Sequence, residues 1–165
     1  MQHVIEVLKW LETTRFAHFI AESGWFFQAA LMLHIAAISV VVGMITVVDL
    51  RLMGLASTKS PVTDICRQAL PWTWWAFALS TLTGAALFMA QPVKYFENFA
   101  FQMKFALMAF AAINMLVFQF IIYRGVAKWD CDAAVPLASK LAGLISLGCW
   151  IAIVAYGRWT AYFVL

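Results

Sequence analysis

Apolar positions along the chain gather into four runs, about Gly24 to Val48, Trp72 to Ala90, Ala100 to Tyr123 and Leu137 to Tyr156. Each is close to the roughly 20 residues that a helix needs to cross a bilayer. The connections carry helix-ending chemistry. Asp49 to Pro71 holds Ser57, Ser60 and Pro61, Gln91 to Phe99 opens with Pro92, and Arg124 to Pro136 holds Asp130 and Asp132. Before the first run, Val4, Val7, Leu8 and Leu11 recur at helical spacing, with Gln2, His3, Glu6, Lys9, Glu12 and Thr13 on the other side. Residues 3 to 20 therefore read as one amphipathic helix lying in the membrane interface. The expected fold is all-α: an interfacial amphipathic helix within residues 1–23, then a four-span antiparallel bundle over 24–165. No internal repeat is evident.

Composition narrows the class. Hydrophobic residues make up 65% of the chain, charged residues only 12%, and the mean hydropathy is +0.88. Soluble domains carry about a quarter charged residues, so this is a membrane chain, too short for a large soluble catalytic domain besides. Net charge is +3 without a run of like charges, so nucleic acid is not expected as a partner. Cys66, Cys131 and Cys149 have no CxxC spacing and form no disulfide framework. Glu6 and Glu12, with no small-residue cleavage site, argue against a removed secretory signal.

Seven of the eight Trp (all but Trp150) fall outside the predicted spans or near their ends, where an indole suits the headgroup boundary. The first and third connections and their flanks hold Arg51, Lys59, Arg67, Arg124, Lys128 and Lys140. The other side holds Lys9, Arg15, Lys94 and Arg158. Six against four places those two connections in the cytoplasm and both termini outside, as in the inner membrane of a bacterium.

Polar side chains at membrane depth need a partner, a cavity or a ligand. They are His34, Lys104, Asn114 and Gln119, with Cys149 and several Met as soft atoms. His34 in LHIAAIS has two readings: a ring satisfied by a neighbouring helix, or a ligand to a metal such as haem iron. A haem in such a bundle takes two axial side chains. By helix rise His34 lies about 15 Å from the terminus side and Met108 about 12 Å, whereas Gln119 is about 28 Å in. Met108 is thus the better-placed partner, with Cys149 as the alternative. Either Met108 or its neighbours also serve as plain core. Lys104, Met108, Ala111, Ala112, Met115 and Gln119 form one stripe, with Asn114 beside it, expected to face inward. Lys104 either snorkels to the headgroups or faces a bound anion or haem propionate. Asn114 reads as a bridge between helices. In the second span Ala76, Ser80, Thr83 and Gly84 are small, letting a neighbouring backbone or a flat cofactor come close. An Asp49 to Arg124 or Arg51 to Asp130 bridge is expected to pin the connections. No Ser/His/Asp, HExxH or phosphate-loop motif occurs, and three His do not support an all-protein zinc or diiron site.

The runs ESGWFF, LHIAAISVVVGMITVVDLRLMGL, LPWTWWAFALSTLTGAALF, FQMKFALMAFAAINMLVF and RGVAKWD together resemble a family of bacterial four-helix membrane proteins of unknown function. That family is distantly similar to the membrane domain of the copper-resistance D family. The likeness spans Glu22 to Trp159, with His34, Asp49, Arg51, Lys104 and Asn114 as its marks. It implies b-type haem or copper at His34. Where such relatives often carry a second His, this chain has Gln119, which favours loss of the cofactor and a scaffold role. The expectation is a b-type cytochrome-like electron-transfer subunit between a quinone pool and a partner. The alternative is a cofactor-free accessory subunit of a larger membrane complex, with copper handling third because no Met or His cluster marks the outer face. Catalysis by the chain alone is not expected. Its Trp- and Phe-rich surface is expected to meet lipid, other membrane proteins or a second copy.

Overall fold

A computed structural model describes residues 2–131 and 135–164, and these are helical with short connections. Asp132, expected in the third connection, lies outside the described residues. The elements are α1 (Gln2–Glu12), α2 (Arg15–Glu22), α3 (Gly24–Met53), α4 (Val62–Ala90), α5 (Pro92–Glu97), α6 (Phe99–Val117) and α7 (Leu137–Val164). A π-helical turn (Phe118–Ile122) and a 3-10 turn (Tyr123–Lys128) prolong α6. Four of these rods, Gly24–Met53, Val62–Ala90, Phe99–Ala127 and Leu137–Thr160, are long and apolar enough to cross a membrane. The chain is a multi-pass membrane protein built as a helical bundle.

The amphipathic N-terminal segment is two helices, not one. The hydroxyls of Thr13 and Thr14 donate to the carbonyls of Trp10 and Leu11, closing α1, and Thr14 then accepts from the Ala17 N–H to cap α2. Ala17 and Ile20 are buried where α2 packs on α4 and α3, while α1 rests on α5.

Two connections are shorter than the sequence suggests. α3 continues through Asp49 and Arg51 to Met53, ending at Gly54, whose φ of 75° supplies the left-handed cap. α4 begins at Val62 and carries Pro71 in its interior, so the first connection is residues 54–61. Pro71 costs one backbone bond and does not end the helix, an outcome common in membrane helices that neighbours support. Between α4 and α6, α5 fills most of the second connection. Asn98 accepts from the N–H groups of Ala100 and Phe101 at 2.8 and 3.3 Å to start α6.

α3 is the hub. It packs on α4 and on α7, and α7 in turn packs on α6. The contact faces are built from small side chains, Ala30, Ala37 and Val41 on α3, Ser80 and Thr83 on α4, Ala142 and Cys149 on α7. Large apolar side chains such as Met32, Leu82 and Ile121 point outward, the arrangement that suits lipid, where close backbone approach drives association. At the end that carries the first and third connections, Leu52, Val62, Cys66 and Trp129 form a buried cluster. Trp129, expected among the indoles at the headgroup boundary, is 6% exposed within it.

Candidate functional site

His34 sits ten residues into α3, against α4. Its Nδ1 lies 2.9 Å from the Ser80 carbonyl and 3.1 Å from Thr83 Oγ1. A carbonyl only accepts, so Nδ1 carries the proton and donates, and in the neutral ring Nε2 keeps the lone pair. Thr83 spends its own hydroxyl proton on the Leu79 carbonyl at 2.8 Å, which frees its oxygen to accept from the ring. Gly84 explains how the ring fits. A Cβ at that position would meet His34 Cε1 at 2.9 Å and Nδ1 at 3.4 Å. The face of α4 that the small residues leave open therefore receives the imidazole itself.

Lys104 enters from α6. Its side chain lies against Gly157 of α7, with Cδ and Nζ each 4.0 Å from where a Gly157 Cβ would stand. Among the described residues it forms no ion pair or hydrogen bond. The structure thus brings His34 and Gly84 together and sets Lys104 against Gly157 of α7. Met108 follows Lys104 by one turn on the same half-buried face, but α6 packs on α7 and α5 and not chiefly on α3, so Met108 belongs to a rod one helix removed from His34. Cys149 is buried in α7.

The inward stripe of α6 is rotated from the expected one. Lys104, Met108 and Ala111 lie on the packed face, but it continues through Asn114 and Phe118, leaving Ala112, Met115 and Gln119 outward. Asn114 does bridge helices, its Nδ2 donating to the Ala142 carbonyl of α7 at 3.0 Å.

Sequence reasoning missed the partners of His34, although the signal was present. Ser80 lies ten residues before the end of α4 and His34 ten residues after the start of α3, so both are about 15 Å from the terminus side by helix rise. The expected bridges at the opposite end also take another form. Arg51, 2% exposed, donates from Nε to the Ser60 carbonyl and from Nη2 to the Asp130 carbonyl, both at 2.9 Å, tying the two connections through backbone and not through a carboxylate. The Asp130 carboxylate instead caps α4 from outside. It accepts from the Thr63 N–H at 2.9 Å and the Thr63 hydroxyl at 2.7 Å. The Thr63 N–H bond holds its pKa below the ordinary carboxylate range, with the Thr63 hydroxyl, the Val62 N–H and Arg51 helping against partial desolvation. Asp49 forms no ion pair with Arg124 among the described residues and faces Ser146 of α7 instead.

A multi-pass bundle with one histidine fixed at mid-depth is the class that fold and site define. Over residues 7–163 the chain matches the model of a family of unknown function, DUF6644, and it belongs to that family. Comparison with characterised proteins and with solved structures finds no match.

Proposed function

We propose that the protein is an integral membrane, b-type cytochrome-like electron-transfer subunit whose haem iron is held by Nε2 of His34. The observation that carries this reading is the Nδ1 bond to the Ser80 carbonyl. A ring held at Nδ1 by a carbonyl has its orientation and tautomer fixed and Nε2 left as the ligating atom. No group of three or more His, Cys, Asp and Glu side chains suited to a metal occurs among the described residues, so the donor set suits a macrocycle that brings its own four nitrogens. When bound, haem supplies a one-electron couple. The chain's residues bind and orient it: His34 ligates, Gly84 lets the imidazole seat against α4, Lys104 sets a positive charge toward the terminus side for a propionate, and Met108 is the second axial candidate. In this reading the chain lies in a bacterial inner membrane with both termini in the periplasm and exchanges electrons with a quinone. Its distant kinship would be with the membrane domain of the copper-resistance D family.

One observation favours a second reading, an accessory subunit without cofactor that docks a larger membrane complex or a second copy. The Ser80 carbonyl, Thr83 and Gly84 already satisfy and seat the His34 ring. The two readings part on one experiment. On the haem reading, protein from haem-replete cells retains about one haem per chain, His34→Ala loses it while still inserting, and His18→Ala keeps it, because His18 is exposed on α2 beside Glu22. Haem-free wild-type protein, co-purifying in fixed stoichiometry with larger membrane proteins, overturns the haem reading in favour of the scaffold.

A further inference from the structure

The junction of α3 and α7 holds a polar feature that neither reading uses. Asp49 lies four residues from the end of α3 and is 4% exposed. Ser146 of α7 faces its carboxyl, and Oδ2 is buried with no hydrogen-bond partner. Gly143 explains the closeness of the two helices, because a Cβ there would stand 2.9 Å from the Asp49 carbonyl oxygen and 3.3 Å from Leu52 Cβ. From the other side, Asn114 holds α7 at Ala142.

The charged groups around this carboxyl are committed elsewhere. Arg51 gives its guanidinium to the carbonyls of Ser60 and Asp130. On α7, Lys140 is exposed, and the packed face presents Ser139, Gly143 and Ser146. On α4, Cys66 packs in the Leu52 cluster. No Lys, Arg or His forms an ion pair with Asp49 among the described residues. An ionised carboxylate in apolar surroundings without a counter-charge is far costlier than the neutral acid. Hard metal cations need a shell of about six oxygens, and no cluster of metal-ligating side chains is present among the described residues. A single orphaned oxygen suits a proton.

We propose that Asp49 is an intramembrane proton-binding site. The carboxylate takes a proton from hydronium, forming the Oδ2–H bond and releasing water, and returns it by the reverse step, with Ser146 facing the carboxyl. Exchange runs toward the first and third connections, since Asp49 is about 6 Å from that end of α3 by helix rise.

Infrared spectroscopy of the lipid-reconstituted protein at pH 7, in water and in deuterium oxide, tests the proposal. The expected result is a protonated-carboxyl C=O band that shifts on deuteration, is missing in Asp49→Asn, and moves to higher frequency in Ser146→Ala, where the facing hydroxyl is lost. Raising the pH should remove the band reversibly while helical circular dichroism is unchanged. If Asp49→Asn does not fold, Ser146→Ala decides alone. A spectrum with no such band, a band untouched by Ser146→Ala, or one that disappears only on unfolding overturns the proposal.

Discussion

Gly84→Ala puts the His34 seat under direct load. The new Cβ would sit 2.9 Å from His34 Cε1, whereas carbon atoms rest at about 3.5–4.0 Å, so the ring must withdraw by roughly 0.6 Å or more. Withdrawal stretches the 2.9 Å bond to the Ser80 carbonyl beyond useful length. Losing that bond costs about 1 kcal/mol, and overpacking adds about 1–3 kcal/mol. Alanine in place of glycine returns up to about 1 kcal/mol of helix preference. Gly148→Ala carries the same preference at a position with nothing within 4 Å, so the difference between the two variants isolates the clash and the lost bond, about 2–4 kcal/mol. Reversible unfolding in mixed micelles of increasing sodium dodecyl sulfate fraction, followed by tryptophan fluorescence and far-ultraviolet circular dichroism, measures this difference. Equal stability of Gly84→Ala and Gly148→Ala would refute the seating of His34 on α4.

Gly143→Ala should be less stable than Gly148→Ala by about 1–3 kcal/mol, because the atom it meets is the Asp49 backbone oxygen, which cannot swing aside; the same unfolding assay checks it. Arg51→Lys should cost about 2 kcal/mol or more, since an ammonium cannot donate in the guanidinium's fork to the Ser60 and Asp130 carbonyls together. Asp130 is more acidic folded than unfolded, so its contribution is full above the ordinary carboxylate range and fades as pH falls through its folded value. Asp130→Ala should therefore lower stability at pH 7 by about 1 kcal/mol and flatten the acid limb of the stability profile, as unfolding at several pH values would show. Native Cys131 is exposed while Cys66 and Cys149 are buried, so a membrane-impermeant maleimide should spare intact cells and label inverted vesicles; labelling of intact cells would reverse the orientation.

The four spans were legible because long apolar runs admit few alternatives in a chain with so little charge. Their ends were not. Asp49 and Arg51 read as connection because charge in a span is costly, yet one is buried against Ser146 and the other satisfied by two carbonyls from distant segments, partners that only the packed structure supplies. Pro71 read as the edge of a connection because proline lacks the backbone N–H that a helix interior uses, yet α4 runs through it. The break at Thr13 and Thr14 turns on hydroxyl caps that an apolar period does not register. Trp129 is buried because the third connection folds back over α4, a long-range contact invisible to local pattern. At the site, His34 and Gly84 stood out as residue types, but their pairing across α3 and α4 needed the depth match of His34 with Ser80.

The most direct test of the central claim, that His34 offers Nε2 to a haem, is the reduced-minus-oxidised absorption spectrum of the wild-type protein purified from haem-replete cells. The account predicts a Soret band and a sharpened α band on dithionite reduction, both abolished in His34→Ala. A featureless visible spectrum from fully folded wild-type protein would contradict it.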